Sequence, residues 1–222
     1  VETVAFFRVE GSLVKRGVLA LCAYLAANRA GFRERALRLG QVALTAPIYQ
    51  LLGQNDRTLA NRLAYLPLRN MSEDRVAELT EEYFRDVLRE NLLEGGKELI
   101  KKARADGYRV VLISDGLAQV IEPLAEHLRS VDDFVCNRLE FRGGVCTGRL
   151  LDPVVGGHDC GVWAANYVQE HGLDLHRSSA YASHGPDLLL LSSVGLPCAV
   201  NPDFTLRRAA RQTSWPIIDY DV

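Results

Sequence analysis

The sequence predicts an α/β fold: a parallel sheet with helices on both faces and an all-helical block inserted after the first strand. Three observations predict it. Short, fully apolar runs such as Val4-Ala5-Phe6-Phe7 and Val110-Val111-Leu112-Ile113 suit strands buried on both faces. Between them, from about Arg16 to Asn91, Leu, Ala, Arg and Glu recur at the spacings of three and four that mark helices. After Gly95-Gly96, strand-like and helix-like segments alternate.

Taken in order, Val4–Phe7 is a strand stopped by Gly11. The helical block has breaks near Gly31, Pro47, Gly53 and Pro67, giving three or four helices. Ser72 is a suitable N-cap for the stripe Val76, Leu79, Tyr83, Val87. A helix over Lys97–Ala105 ends at Gly107, and the strand Val110–Ile113 runs into Ser114-Asp115-Gly116. A helix over Ala118–Leu128, a strand at Phe134–Cys136 and a hairpin (Arg138–Phe141 and Cys146–Leu150 around Gly143-Gly144) follow. Helices at Val162–His171, Asp187–Val194 and Phe204–Arg211 alternate with strands at Ser179–Ala182 and Cys198–Val200, and Ile217-Ile218 is a short last strand.

Composition narrows the function classes. The 222 residues carry a formal net charge of −2 with 24% charged and 48% hydrophobic residues, which excludes a disordered chain and argues against general affinity for nucleic acid. The apolar run Val18–Ala27 is too short to span a bilayer and is flanked by Lys15, Arg16 and Arg29. The five cysteines (Cys22, Cys136, Cys146, Cys160, Cys198) are scattered, odd in number and never spaced CxxC. A reducing, cytoplasmic setting is the expectation. The first residue is Val rather than Met, which suits a chain trimmed or cut from a longer protein.

In a doubly covered parallel sheet, ligands bind beyond the carboxyl ends of the strands. The loops Arg8–Ser12, Ser114–Leu117, Gly156–Gly161 and Ala182–Asp187 are therefore expected to converge on one cleft. These loops and their strands resemble the haloacid dehalogenase (HAD) superfamily, specifically its phosphoserine phosphatase-like branch (subclass IB), over essentially the whole chain. The resemblance rests on Val4-Ala5-Phe6-Phe7-Arg8-Val9-Glu10-Gly11-Ser12, on Val111-Leu112-Ile113-Ser114 leading to Val120-Ile121-Glu122-Pro123, and on Ala180-Tyr181 through Asp187-Leu188 to Val200-Asn201-Pro202-Asp203. It implies a Rossmann-like core (1–15 and 93–222) with a helical cap (16–92). It also implies that such a chain can be one piece of a fusion, for example with an acyltransferase.

In active members, the resemblance implies, an Asp ending the first strand attacks phosphorus and a second Asp two residues later is the general acid and base. A Ser or Thr after the second strand and a Lys opening a later helix hold the phosphate, and carboxylates after a later strand bind Mg²⁺. This chain keeps little of that set. The nucleophile position is Arg8, a permanent cation with donors only. The acid/base position is Glu10, the lysine position falls at or near Cys160, and the first metal carboxylate is Ser183. Ser114 and Asp187 survive.

Losing a covalent nucleophile alone costs many orders of magnitude, about 10⁶ in well-studied triads. The expectation is a catalytically degenerate pseudophosphatase acting as a binding, scaffold or regulatory module, with no catalytic residue, no metal and no cofactor. The alternative is a residual Mg²⁺-dependent phosphomonoesterase using Glu10 and Asp187. Arg8 either pairs with Glu10, Asp187 or both, or joins Ser114 and His184 in binding a small anion. Ser114 and Asp187 are equally consistent with helix caps. His184, His158 and Cys160 could form a new nucleophile–base set, although polar residues gather in such loops anyway. Trp163 and Trp215 read as packing. The Leu-rich cap helices leave room for a protein partner or self-association.

Overall fold

The computed structural model describes residues 2–29 and 31–220. Strand β1 (Val4–Arg8) lies in a six-stranded parallel sheet with β2 (Arg109–Leu117), β3 (Asp133–Asn137), β6 (Ser179–Ala182), β7 (Leu196–Val200) and β8 (Ile217–Ile218), in the order β3-β2-β1-β6-β7-β8. Strands β4 (Leu139–Arg142) and β5 (Val145–Leu150) form a separate antiparallel hairpin. β1 is central, so both of its faces are covered and its five residues are all buried. Successive side chains alternate between faces. Ala5 and Phe7 join the core shared with Val110 and Leu112, whereas Val4 and Phe6 join that of Val111 and Ile113.

One face packs on α5 (Glu94–Ala105) and α6 (Ala118–Leu128) through Ile100, Ala103, Ile121 and Leu124. The other packs on α7 (His158–His171), α8 (Leu188–Ser193) and α9 (Phe204–Thr213). Trp163 packs there, 6.4 Å from Phe6 and 5.0 Å from Tyr167 between ring centres, and Trp215 lies against the same core.

Between β1 and α5 the chain folds into α1 (Val18–Ala27), α2 (Phe32–Leu52), α3 (Arg57–Ala64) and α4 (Glu73–Tyr83). Asp56 caps α3 by accepting from the Leu59 N–H at 2.8 Å, and Ser72 caps α4 through Arg75. The hairpin leans on this insertion: the Cys146 N–H donates to the Met71 carbonyl and the Asn70 N–H to the Cys146 carbonyl.

Four sequence expectations move. Pro47 does not break a helix, because α2 runs through it. A proline removes one donor and crowds the carbonyl four residues back, and that residue, Ala43, is exposed, where a freed carbonyl costs least. Gly95-Gly96 belongs to α5 instead of preceding it. Gly96 lies against the Ser12 carbonyl, where a β-carbon would come within 2.3 Å, so packing sets these residues. Strand β2 continues to Leu117, and α7 begins at His158, four residues before the apolar pattern starts at Val162. No helix of the described residues is long and apolar enough to cross a membrane.

Candidate functional site

The parallel register sets Arg8 beside Ile113, so the end of β1 meets the Ser114–Leu117 segment of β2. Beyond Arg8 the chain coils tightly: Leu13 and Val14 both donate to the Val9 carbonyl, and the Gly11 N–H donates to that of Val14. Gly11 sits at φ +84, and a β-carbon there would lie 2.5 Å from Ser183 Cβ. Glycine is what lets this loop touch the loop after β6.

Arg8 is almost wholly buried, with a side chain 1% exposed. Its Nε lies 2.9 Å from Asp187 Oδ1, and its Nη2 lies 2.9 Å from Asp115 Oδ1 and 3.6 Å from Glu10 Oε2. Both pairings expected for Arg8 are present, and Asp115 adds a third. Asp115 in turn reaches Arg57 of α3, whose Nε is 3.2 Å from Asp115 Oδ2 and whose guanidinium lies over the Tyr49 ring. Two guanidinium groups therefore face three carboxylates.

The backbone is equally committed. The Asp115 carbonyl accepts from Tyr65 Oη at 3.0 Å and Asn137 Nδ2 at 2.9 Å. Asn61 Nδ2 donates to the Val155 carbonyl at 2.9 Å, and the Val155 N–H donates to Asn137 Oδ1. Ser114 Oγ donates to Glu10 Oε1 at 2.6 Å, and the Asp115 N–H joins it at 3.1 Å. Ser114 Oγ also accepts from the Gly116 N–H, a turn bond within its own loop. Arg8 Nε and Nη2 are thus ion-paired with carboxylates and Ser114 Oγ donates to one, while Arg8 Nη1 is buried with no hydrogen-bond partner among the described residues.

Charge states follow from this enclosure. Burial works against a charged Arg8, but Asp115 and Asp187 outweigh it and hold the guanidinium firmly protonated. Burial raises the Asp115 carboxyl, yet Arg8 and Arg57 together pull it below the usual range. Glu10 is pushed up, first by burial and then by the Asp115 charge, with Arg8 and Ser114 offsetting only part. Asp187 is pushed up by burial. Burial likewise lowers His184, keeping it neutral, and raises the Cys160 thiol.

The other expected positions surround this cluster. Cys160 is buried in the first turn of α7. Ser183 is 1% exposed, and its Oγ has no hydrogen-bond partner among the described residues. Asp187 precedes α8 without capping it by a side-chain bond, so its carboxylate serves Arg8. His158 is exposed, unlike Cys160 and His184, so these three do not form one enclosed set. A cavity of about 280 Å³ opens over the cluster, lined by Glu10, Lys15, Tyr49, Gln54, Arg57 and His184.

Asp115 and Arg57 were not anticipated as site residues. Asp115 carried a signal, since it follows Ser114 at a strand end. Arg57 carried none, being one arginine among many in a helical block.

A Mg²⁺ ion needs several hard oxygen ligands around one open point. Here that point is taken by the Arg8 guanidinium, and among the described residues no group of three or more His, Cys, Asp or Glu side chains is arranged to hold a metal. The donor set does not fit the ion.

A family model described as haloacid dehalogenase-like hydrolase matches residues 5–192. The chain is 29% identical to the "Inhibition of morphological differentiation protein" of Streptomyces azureus, over 99% of this chain and 79% of that one. It is 28% identical to a phosphoserine phosphatase of Mycobacterium tuberculosis, over 98% of this chain and 71% of that one. A crystal structure of a Bordetella pertussis protein of unknown function superposes with a TM-score of 0.83 at 25% identity, covering 99% of each chain. A phosphoserine phosphatase in apo form superposes at 0.72 with 19% identity, over 98% of this chain and 94% of that one, a likeness of fold.

Proposed function

The chain belongs to the haloacid dehalogenase-like hydrolase family, and from that premise we propose that it is a non-hydrolytic member, a pseudophosphatase that works by binding or regulation. The observation that carries this reading is Arg8, enclosed by Asp115 and Asp187 at the end of β1. By its resemblance to the phosphoserine phosphatase-like branch, that position should hold the attacking carboxylate. A guanidinium has no lone pair to offer phosphorus. Its fixed charge also opposes a divalent cation, and like charges about 4 Å apart cost several kcal/mol in a partly screened site. Ser183 and Cys160, where a metal carboxylate and a lysine are expected, support the same reading.

In this proposal residues 16–92 cap a core made of 1–15 and 93–222, and the Arg8 cluster cements the two. The name of the Streptomyces azureus relative, which records inhibition of differentiation rather than hydrolysis, is in keeping with a regulatory role. Five free cysteines, four of them buried, suit a cytoplasmic setting.

The test is phosphate release from phosphoserine and from p-nitrophenyl phosphate, with and without Mg²⁺. No turnover above the uncatalysed rate is expected. Metal-dependent turnover that disappears in Glu10→Gln would overturn the proposal in favour of a residual phosphomonoesterase. Titrating inorganic phosphate while following thermal unfolding tests the anion site separately, because binding to the folded state raises its stability logarithmically.

A further inference from the structure

Between Ala36 and Leu51, helix α2 turns an uncharged, apolar face outward. Leu37, Leu44, Ile48 and Leu51 are 59%, 73%, 46% and 74% exposed. Gly40 lies exposed in the same stripe, and Ala36, Ala43 and Pro47 fill the gaps between these residues. Every one of these positions follows the spacing of a single helix face. The opposite face is the one that packs, with Val42 and Tyr49 buried and Leu39 and Leu52 against the core. The apolar pattern of α2 is thus two-sided, and the chain itself uses one side.

We propose that this face pairs with the same face of a second copy of the chain, the two α2 helices running antiparallel about a two-fold axis at Leu44. The residues make the face complementary to itself in that arrangement. With Leu44 against Leu44, Leu37 of each copy meets Leu51 of the other, and Ile48 meets Gly40. The bulky end of one helix then fills the small-residue end of its mate. A β-carbon added at Gly40 would meet nothing within 4 Å among the described residues, so space for the incoming Ile48 is open. In a parallel pair, glycine would face glycine at one end and leucine would face leucine at the other.

Charge selects the same direction. Arg33, four residues before Leu37, continues this face into the first turn of α2, whereas the last turn has no basic residue and is followed by Asp56. Antiparallel pairing sets Arg33 beside the partner's carbonyl-rich C-terminal end and opposes the two helix dipoles. Parallel pairing would set Arg33 against its own copy. A single helix pair buries less than the standard interface of about 1,200–2,000 Å², so the dimer is concentration-dependent.

Cysteine cross-linking tests the register on the full chain, with the wild type as background control because four of its five cysteines are buried. Under mild oxidation Leu44→Cys should give a disulfide-linked dimer. Leu37→Cys alone should not, and Leu37→Cys combined with Leu51→Cys should. In sedimentation, wild type should shift from monomer to dimer as concentration rises, and Leu44→Glu should stay monomeric with its thermal stability kept. A wild type that remains monomeric to its solubility limit overturns the proposal. So does Leu44→Cys linking no better than Leu37→Cys. Binding of the monomer to phosphatidylcholine–phosphatidylserine vesicles, lost in Leu44→Glu, would assign the face to lipid and overturn it equally.

Discussion

Asp115 Oδ2 at the end of β2 lies 3.2 Å from Arg57 Nε on α3, an ion pair that ties the helical insertion to the sheet. The same carboxylate holds Arg8, so Asp115 is shared between a cation of the sheet and a cation of the insertion. Burying charges in this way is costly unless each is matched. The cluster is matched except for one surplus carboxylate, and the consequences can be measured.

Replacing Arg57 with Ala removes the tie while leaving Asp115 its bond to Arg8. Orphaning a buried charge outright costs about 3–5 kcal/mol, so with Arg8 still in place the loss in Arg57→Ala should be smaller. Hydrogen exchange should speed up in α3 and around Tyr65, with little change in β7 or α9. Uniform exchange behaviour across the molecule would show that the pair does not hold the insertion in place.

Glu10 and Asp187 are held above their ordinary values, so the folded protein binds protons that the unfolded chain has released. Stability from these groups is present below the ordinary carboxylate range, about 4, and is lost as pH rises above it. Asp115 is held low and acts oppositely, its contribution disappearing as pH falls below that range. Glu10→Gln should therefore flatten the decline in stability between mildly acidic and neutral pH, with no penalty at neutral pH. Urea unfolding at the two pH values checks this, and an unchanged slope would rule out Glu10 as its source.

Arg8→Asp exchanges the central cation for a fourth carboxylate among Glu10, Asp115 and Asp187. Without a divalent ion the variant should be strongly destabilised, since the buried negative charges lose their main partner. Mg²⁺ should raise its melting temperature and leave wild type unmoved, because a cation that binds only the folded state stabilises it. A wild type that melts higher in Mg²⁺ would contradict the misfit between this donor set and the metal.

Cys160 is buried with its thiol pushed up by burial, and a thiol in that state is a poor nucleophile. Iodoacetamide should leave it unmodified in the native protein at mildly alkaline pH and label it fully once the chain is unfolded. Rapid native labelling would reopen the case for a thiol-based chemistry at this site.

Much of the architecture was legible because it is written in local patterns. A strand covered on both faces needs an unbroken apolar run, which Val4–Phe7 and Val110–Ile113 supply. Ser72 could be named as a cap because its bond reaches only three residues along the chain. Boundaries failed where a neighbour decided them: Gly96 is helical and lies against the Ser12 carbonyl, and Pro47 stays helical where Ala43 is exposed. The Arg8 pairings with Glu10 and Asp187 were among the expectations, since all three follow strands that end on one side of the sheet. The Asp115–Arg57 pair was not, because 58 residues separate its members and only the docking of α3 brings them together.

The sequence by itself determined the chemistry at each position: a fixed cation after the first strand, a carboxylate two residues on, and a helix apolar on two sides. The tertiary structure decided which groups meet, surrounding Arg8 with three carboxylates, sharing one of them with Arg57, and leaving one face of α2 in solvent. The physical reason is range. Side-chain identity and helical or strand periodicity are properties of neighbours along the chain. Ion pairing and burial depend on distances of a few ångströms between segments far apart in sequence, which packing alone fixes.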